Sequence, residues 1–134
     1  MNAVVAAATP LAFSAPGLRV LLVEDSPDDA ELAEWALRKA GIDVRCVHAC
    51  TAIEVAAALA GFAPQVVVSD LNLPGFSGAQ ALTQVRAHDP SLPFVFLTGG
   101  LAPGDSVPVA DGLLSKDALD ELPPLLLRLV AQRG

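Results

Sequence analysis

Four short apolar runs limit what this chain can fold into: RVLLV at 19–23, QVVVS at 65–69, PFVFL at 93–97 and GLLS at 112–115. Each holds four or five residues and is rich in Val, Leu or Phe. Such runs suit strands buried on both faces, as in a parallel sheet covered by helices. A weaker fifth run, DVRCVHA at 43–49, completes the set. Between the runs the apolar spacing becomes helical. Residues 28–40 put Ala30, Ala33, Ala36, Leu37 and Ala40 on one stripe. Acids fill the first turns of that stretch and Arg38 and Lys39 its last, matching the helix dipole, and Gly41 ends it. Residues 51–60 open with Thr51 as cap and Glu54 at the capping-box spacing. A third helix is expected over 77–88, ending before Pro90. A fourth is expected over 120–132, with Pro123 and Pro124 tolerable only in its first turn. The alternation predicts an α/β fold: one open parallel sheet with helices on both faces.

Length and charge narrow the function. The 134 residues have room for one domain, and a 53% hydrophobic share fills a core, which argues against general disorder. No run approaches the ~20 apolar residues of a membrane-spanning helix, so no membrane role is expected. Eight Lys and Arg against fifteen Asp and Glu leave a net charge of −7, a poor balance for a nucleic-acid surface. Two cysteines imply no disulfide framework, and a cytoplasmic setting is expected. Residues 1–17 carry no charge, lack the basic start of a secretory signal and are interrupted by Pro10 and Pro16. They read as a flexible leader, with the folded part, 18–134, beginning at Leu18. A complete protein and a piece of a longer one are both open.

The chemistry lies in the polar residues at the end of each run. Glu24 and Asp25 come after the first, Asp70 after QVVVS, Thr98 after PFVFL and Lys116 after GLLS. In a parallel sheet all carboxyl ends share one edge, where such folds bind ligands. Three carboxylates crowded there repel unless a cation offsets them, and Mg²⁺ suits a few carboxylates plus water. One carboxylate could then act as an oxygen nucleophile toward phosphorus. Asp70 is the natural acceptor, mid-sheet between the acidic pair and Thr98 and Lys116. Lys116 supplies positive charge and Thr98 a hydrogen bond.

The stretches LLVEDSPDDAEL, VVVSDLNLPGFSG, PFVFLTGG and LLSK, in this order and spacing, resemble the receiver domains of two-component response regulators. The likeness spans about residues 18–133. It implies a (βα)5 flavodoxin-like three-layer sandwich with strand order 2-1-3-4-5. It implies Asp70 as the phosphorylated aspartate and Glu24, Asp25, Asp70 and the backbone carbonyl of Asn72 as Mg²⁺ ligands. Thr98 and Lys116 would hold the phosphoryl group, and Pro74 and Gly78 match the turn after Asp70. The implied partner is a sensor histidine kinase or a histidine phosphotransfer protein, with a homodimer as a further option.

Three departures stand out. Where the family usually has Tyr or Phe, three residues before the lysine, this chain has Leu113, and it contains no Tyr. The segment between Thr98 and Lys116 is short and holds Pro103, Gly104 and Pro108. Pro costs a helix interior ~3 kcal/mol and Gly ~1 kcal/mol, so the helix usual at that place is expected to be a loop or a single turn. Asp117 follows Lys116 where Pro is common, and SKDALDELPPL is similar to receivers at the front of sensory kinases and cyclases.

Rival readings remain. A pseudo-receiver would use the fold only for binding or dimerisation. A phosphatase acting through an aspartyl phosphate would want a second acid two residues after Asp70, where Asn72 stands. Cys46, His48 and Cys50 alternate as on one strand face, but two cysteines and one histidine do not close a zinc site, and buried thiols are expected. His88 suits a helix C-terminus. Trp35 lies off the alanine stripe and reads as surface packing or a partner contact. Leu122, Leu125, Leu126, Leu129 and Val130 read as core, any surplus apolar face being a docking surface.

Overall fold

Each apolar run becomes a strand of one sheet. In the computed structural model, which describes residues 17–101 and 103–133, the strands are β1 (Leu18–Val23), β2 (Val44–Ala49), β3 (Val66–Asp70), β4 (Phe94–Thr98) and β5 (Gly112–Ser115). The helices are α1 (Pro27–Lys39), α2 (Ala52–Gly61), α3 (Gly78–His88) and α4 (Leu122–Arg133), with a 3-10 turn at Lys116–Glu121 before the last. All strand pairs are parallel, in the order β2-β1-β3-β4-β5. This is the expected 2-1-3-4-5 topology. The leader expected over 1–17 lies outside the described residues except for Gly17.

Both faces of the three central strands are buried, so their sequences lack polar alternation. On one face Leu21, Val23, Val67, Phe94 and Phe96 meet Val55, Leu59, Ala81, Leu82 and Val85 of α2 and α3. Phe94 and Phe96 pack edge to face, 5.0 Å between ring centres. On the other face Val20, Leu22, Val66, Val68, Val95 and Leu97 meet Ala30, Ala33 and Leu37 of α1 and Leu122, Leu125 and Leu126 of α4. Helix starts follow side-chain caps. Ser26 accepts from the Asp29 amide and Thr51 from the Glu54 amide, while Ser77 and Gln80 form a reciprocal capping box.

Several expectations are corrected. β5 is not buried on both faces: its residues alternate between partly buried and exposed, with Leu113 41% exposed. It is an edge strand, and the described residues between Thr98 and Gly112 contain no helix to cover it. That helix-free segment was expected, and Val107 and Ala110 from it pack against the core. β2, the other edge, buries only Val44 and Ala49 fully. α1 buries Ala30, Ala33 and Leu37, whereas Ala36 is half-buried and Ala40 is exposed beyond its end. The last helix begins at Leu122 rather than at 120, because Asp120 and Glu121 belong to the 3-10 turn. Pro123 and Pro124 thereby fall in its first turn, where no amide hydrogen is missed. Cys50 lies past the end of β2 and is exposed, and Cys46 is only partly buried.

Candidate functional site

Strand register gathers the acids. Val23 pairs with Ser69, so the next residues, Glu24 and Asp70, leave the sheet side by side. One carboxylate oxygen each from Glu24, Asp25 and Asp70 lies within 4.8 Å of the others, the only such metal-ligating cluster among the described residues. The Glu24 and Asp70 side chains are 7% and 12% exposed, while Asp25 is open to solvent. Glu24 Oε2 accepts from the Ser26 amide at 3.2 Å, and Asp70 Oδ1 accepts from the Asn72 amide at 3.2 Å. Close-set hard oxygen donors suit a divalent cation such as Mg²⁺.

Lys116, just after β5, extends its ammonium into this cluster. Its Nζ lies 3.0 Å from Glu24 Oε1, 3.2 Å from Asp70 Oδ2 and 2.7 Å from Asp29 Oδ2. An ammonium has three donors, and three carboxylates surround this one. Burial alone would lower the Lys116 pKa, but the bonds to Asp29, Glu24 and Asp70 outweigh it and hold the group above its ordinary value. Glu24 is raised from the usual carboxylate range: burial dominates, Lys116 and the Ser26 amide oppose it, and the charge of Asp70 adds to the rise.

Sequence reasoning missed Asp29, because an acid in a helix first turn is already explained by the dipole. The signal that could have found it was its phase. Asp29, Ala33 and Leu37 are four residues apart on the face of α1 that packs on the sheet, an inward position for a charge.

Thr98 is buried at the end of β4, and its hydroxyl is engaged by Gly100, donating to the carbonyl at 3.0 Å and accepting from the amide at 3.2 Å. Asn72 is exposed beside Asp70. The structure therefore joins Glu24, Asp25, Asp70 and Lys116, with Thr98 at a nearby strand end and turned to its own loop. The loop after Asp70 needs both its glycines: Gly75 has φ +70°, and Gly78 packs against the Asp70 and Leu71 carbonyls. Away from the site, His48 Nε2 is 3.8 Å from Glu34, and His88 is exposed at the end of α3. Trp35 is 57% exposed with the Lys39 ammonium 4.9 Å over its ring, as a surface residue.

An acidic cluster and one amine at the carboxyl edge of a 2-1-3-4-5 sheet can bind a cation and present a carboxylate to an electrophile. Residues 20–120 match the family model described as response regulator receiver domain. The chain belongs to that family.

Relatives carry the receiver within larger proteins. The DNA-binding transcriptional regulator NtrC of Salmonella typhimurium is 36% identical over 73 residues, 53% of this chain but 16% of NtrC. A putative response regulator from Chloroflexus aurantiacus superposes with a TM-score of 0.72 at 27% identity, covering 87% of this chain and 99% of that chain. The receiver domain of the sensor histidine kinase PA1611 from Pseudomonas aeruginosa PAO1 superposes with a TM-score of 0.74 at 25% identity, covering 87% and 99%. That structure has a magnesium ion coordinated in its active-site cleft.

Proposed function

We propose that this receiver is a Mg²⁺-dependent phosphorelay switch that accepts a phosphoryl group on Asp70. The donor is a sensor histidine kinase or a histidine phosphotransfer protein, and the setting is the cytoplasm. One observation carries the reading: the Asp70 carboxylate is 3.2 Å from the Lys116 ammonium and within 4.8 Å of oxygens from Glu24 and Asp25. Glu24, Asp25, Asp70 and the Asn72 carbonyl would hold Mg²⁺, which when bound supplies positive charge against the carboxylates and the phosphoryl oxygens.

An Asp70 oxygen attacks phosphorus as the bond from phosphorus to the donor nitrogen breaks. An acyl phosphate forms, and the imidazole leaves with the bonding electron pair. Lys116 then binds a phosphoryl oxygen. For Thr98 to do the same, its hydroxyl must give up its bond to the Gly100 carbonyl, so phosphorylation would rearrange the 98–100 loop. Leu113 supplies no aromatic ring to follow it.

A pseudo-receiver, binding or dimerising without phosphorylation, is the second reading, favoured by Leu113 and by the helix-free segment before β5. A phosphatase-like enzyme has less support, since Asn72 supplies no second acid. The test is incubation with Mg²⁺ and a small-molecule phosphodonor, followed by intact mass. Gain of one phosphoryl group, absent in Asp70→Asn, supports the switch. No gain with Mg²⁺ present favours the pseudo-receiver, and turnover of unrelated phosphoesters favours the enzyme.

A further inference from the structure

We propose that Asp29 is a positioning residue that carries the Lys116 ammonium when a cation takes Glu24 and Asp70. This rests on the Mg²⁺-dependent reading above. The Lys116 ammonium is shared among three carboxylates, and the contact to Asp29 is the shortest, 2.7 Å against 3.0 Å for Glu24 and 3.2 Å for Asp70. The other two partners belong to the acidic cluster that can hold a metal, and Asp29 does not. A divalent cation bound by Glu24 and Asp70 would compete with the ammonium for the same two carboxylates and repel it. Lys116 must give way without leaving reach of Asp70, where the phosphoryl group is to be gripped.

Asp29 is built for that task. Ser26 Oγ holds its amide at 3.3 Å, and the helix behind it is pinned to the sheet through Ala33 and Leu37. On the other side Ser115 Oγ accepts from the Asp117 amide at 3.0 Å, fixing the backbone on either side of Lys116. The Asp29 side chain is 38% exposed, so water still reaches its carboxylate while it holds the ammonium. Without Asp29, the two remaining partners of Lys116 are both metal ligands, and every bound cation must displace the amine outright.

The test is a double-mutant cycle on the full chain, reading Mg²⁺ affinity by calorimetric titration without any phosphodonor. Asp29→Asn is expected to weaken Mg²⁺ on the order of fivefold, and Asp29→Glu, which keeps the charge, to remain close to wild type. Lys116→Met is expected to tighten Mg²⁺, and adding Asp29→Asn in that background to change little. If Asp29→Asn weakens Mg²⁺ equally with and without Lys116, the acid acts through its field alone and the positioning role is overturned. If the wild-type chain takes up no Mg²⁺, the metal-dependent reading itself fails, and the inference fails with it. Circular dichroism identifies any variant that does not fold; should Asp29→Asn be one, Asp29→Glu is read against wild type in its place, and a loss of about fivefold or more overturns the proposal.

Discussion

Gly78 stands so close to Asp70 that a Cβ on it would lie 2.6 Å from the Asp70 carbonyl oxygen. The same carbon would meet the Leu71 carbonyl and the Phe96 ring, each at 2.8 Å. Two of these neighbours are backbone and cannot swing aside. Gly78→Ala is expected to cost about 1–3 kcal/mol despite the better helix propensity of alanine, read as a lower urea midpoint. It should also shift Asp70 and slow phosphoryl uptake. Unchanged stability would mean that the loop yields more easily than its packing indicates.

Repulsion among the carboxylates of the acidic cluster is offset by Lys116 at Glu24 and Asp70, and a bound divalent cation would offset more of it. Asp25 is the exposed member, and among the ion pairs described Lys116 reaches Glu24 and Asp70 instead. Asp25→Asn should raise the Tm in a chelating buffer, because it removes like-charge repulsion. It should also shrink the Tm gain on adding Mg²⁺. A Tm that falls in the chelating buffer would contradict this.

Lys116→Met should destabilise the metal-free protein by about 1–3 kcal/mol, by leaving Glu24 and Asp70 without their cation. The folded-state pKa of Lys116 is raised, so its contribution is fully present below the ordinary 10.5 and lost only as pH rises through the higher folded value. The deficit should therefore be flat from about pH 7 to about pH 10. On the acid side Glu24, raised from 4.5 by burial, takes up a proton early, so the deficit should narrow as pH falls toward that range. Denaturant melts of both proteins across pH check the shape.

The two thiols should react unequally. Cys50 is exposed and Cys46 partly buried, with burial, aided by Glu34, pushing the Cys46 thiol up to about 12. Hydrogen bonding to Glu54 raises Cys50 as well. Iodoacetamide should label Cys50 first, slowly near neutrality and faster as pH rises, because the thiolate is the nucleophile. Glu54→Gln should speed that step. Peptide mapping in which Cys46 reacts first would refute the assignment.

Much of the fold was legible because its signals are local. Burial on both faces removes polar alternation, so β1, β3 and β4 are plain as short runs rich in Val, Leu and Phe. The half-exposure of β5 was not legible, since it depends on what fails to cover Leu113. Nor was the exposure of Cys50, because the end of β2 is set by pairing with β1 rather than by the residues there. At the site, Glu24, Asp25, Asp70 and Lys116 were readable as charges directly after strands.

The amino-acid order by itself determined that a parallel sheet would form and that acids and one amine would crowd a single edge of it. Period and strand-end chemistry are written residue by residue along the chain. Only the folded molecule decided how Lys116 divides itself among Glu24, Asp29 and Asp70, and that Thr98 spends its hydroxyl on Gly100. The first depends on segments remote in the chain meeting at one point and the second on which way a hydroxyl turns within its own loop, and no spacing rule carries either.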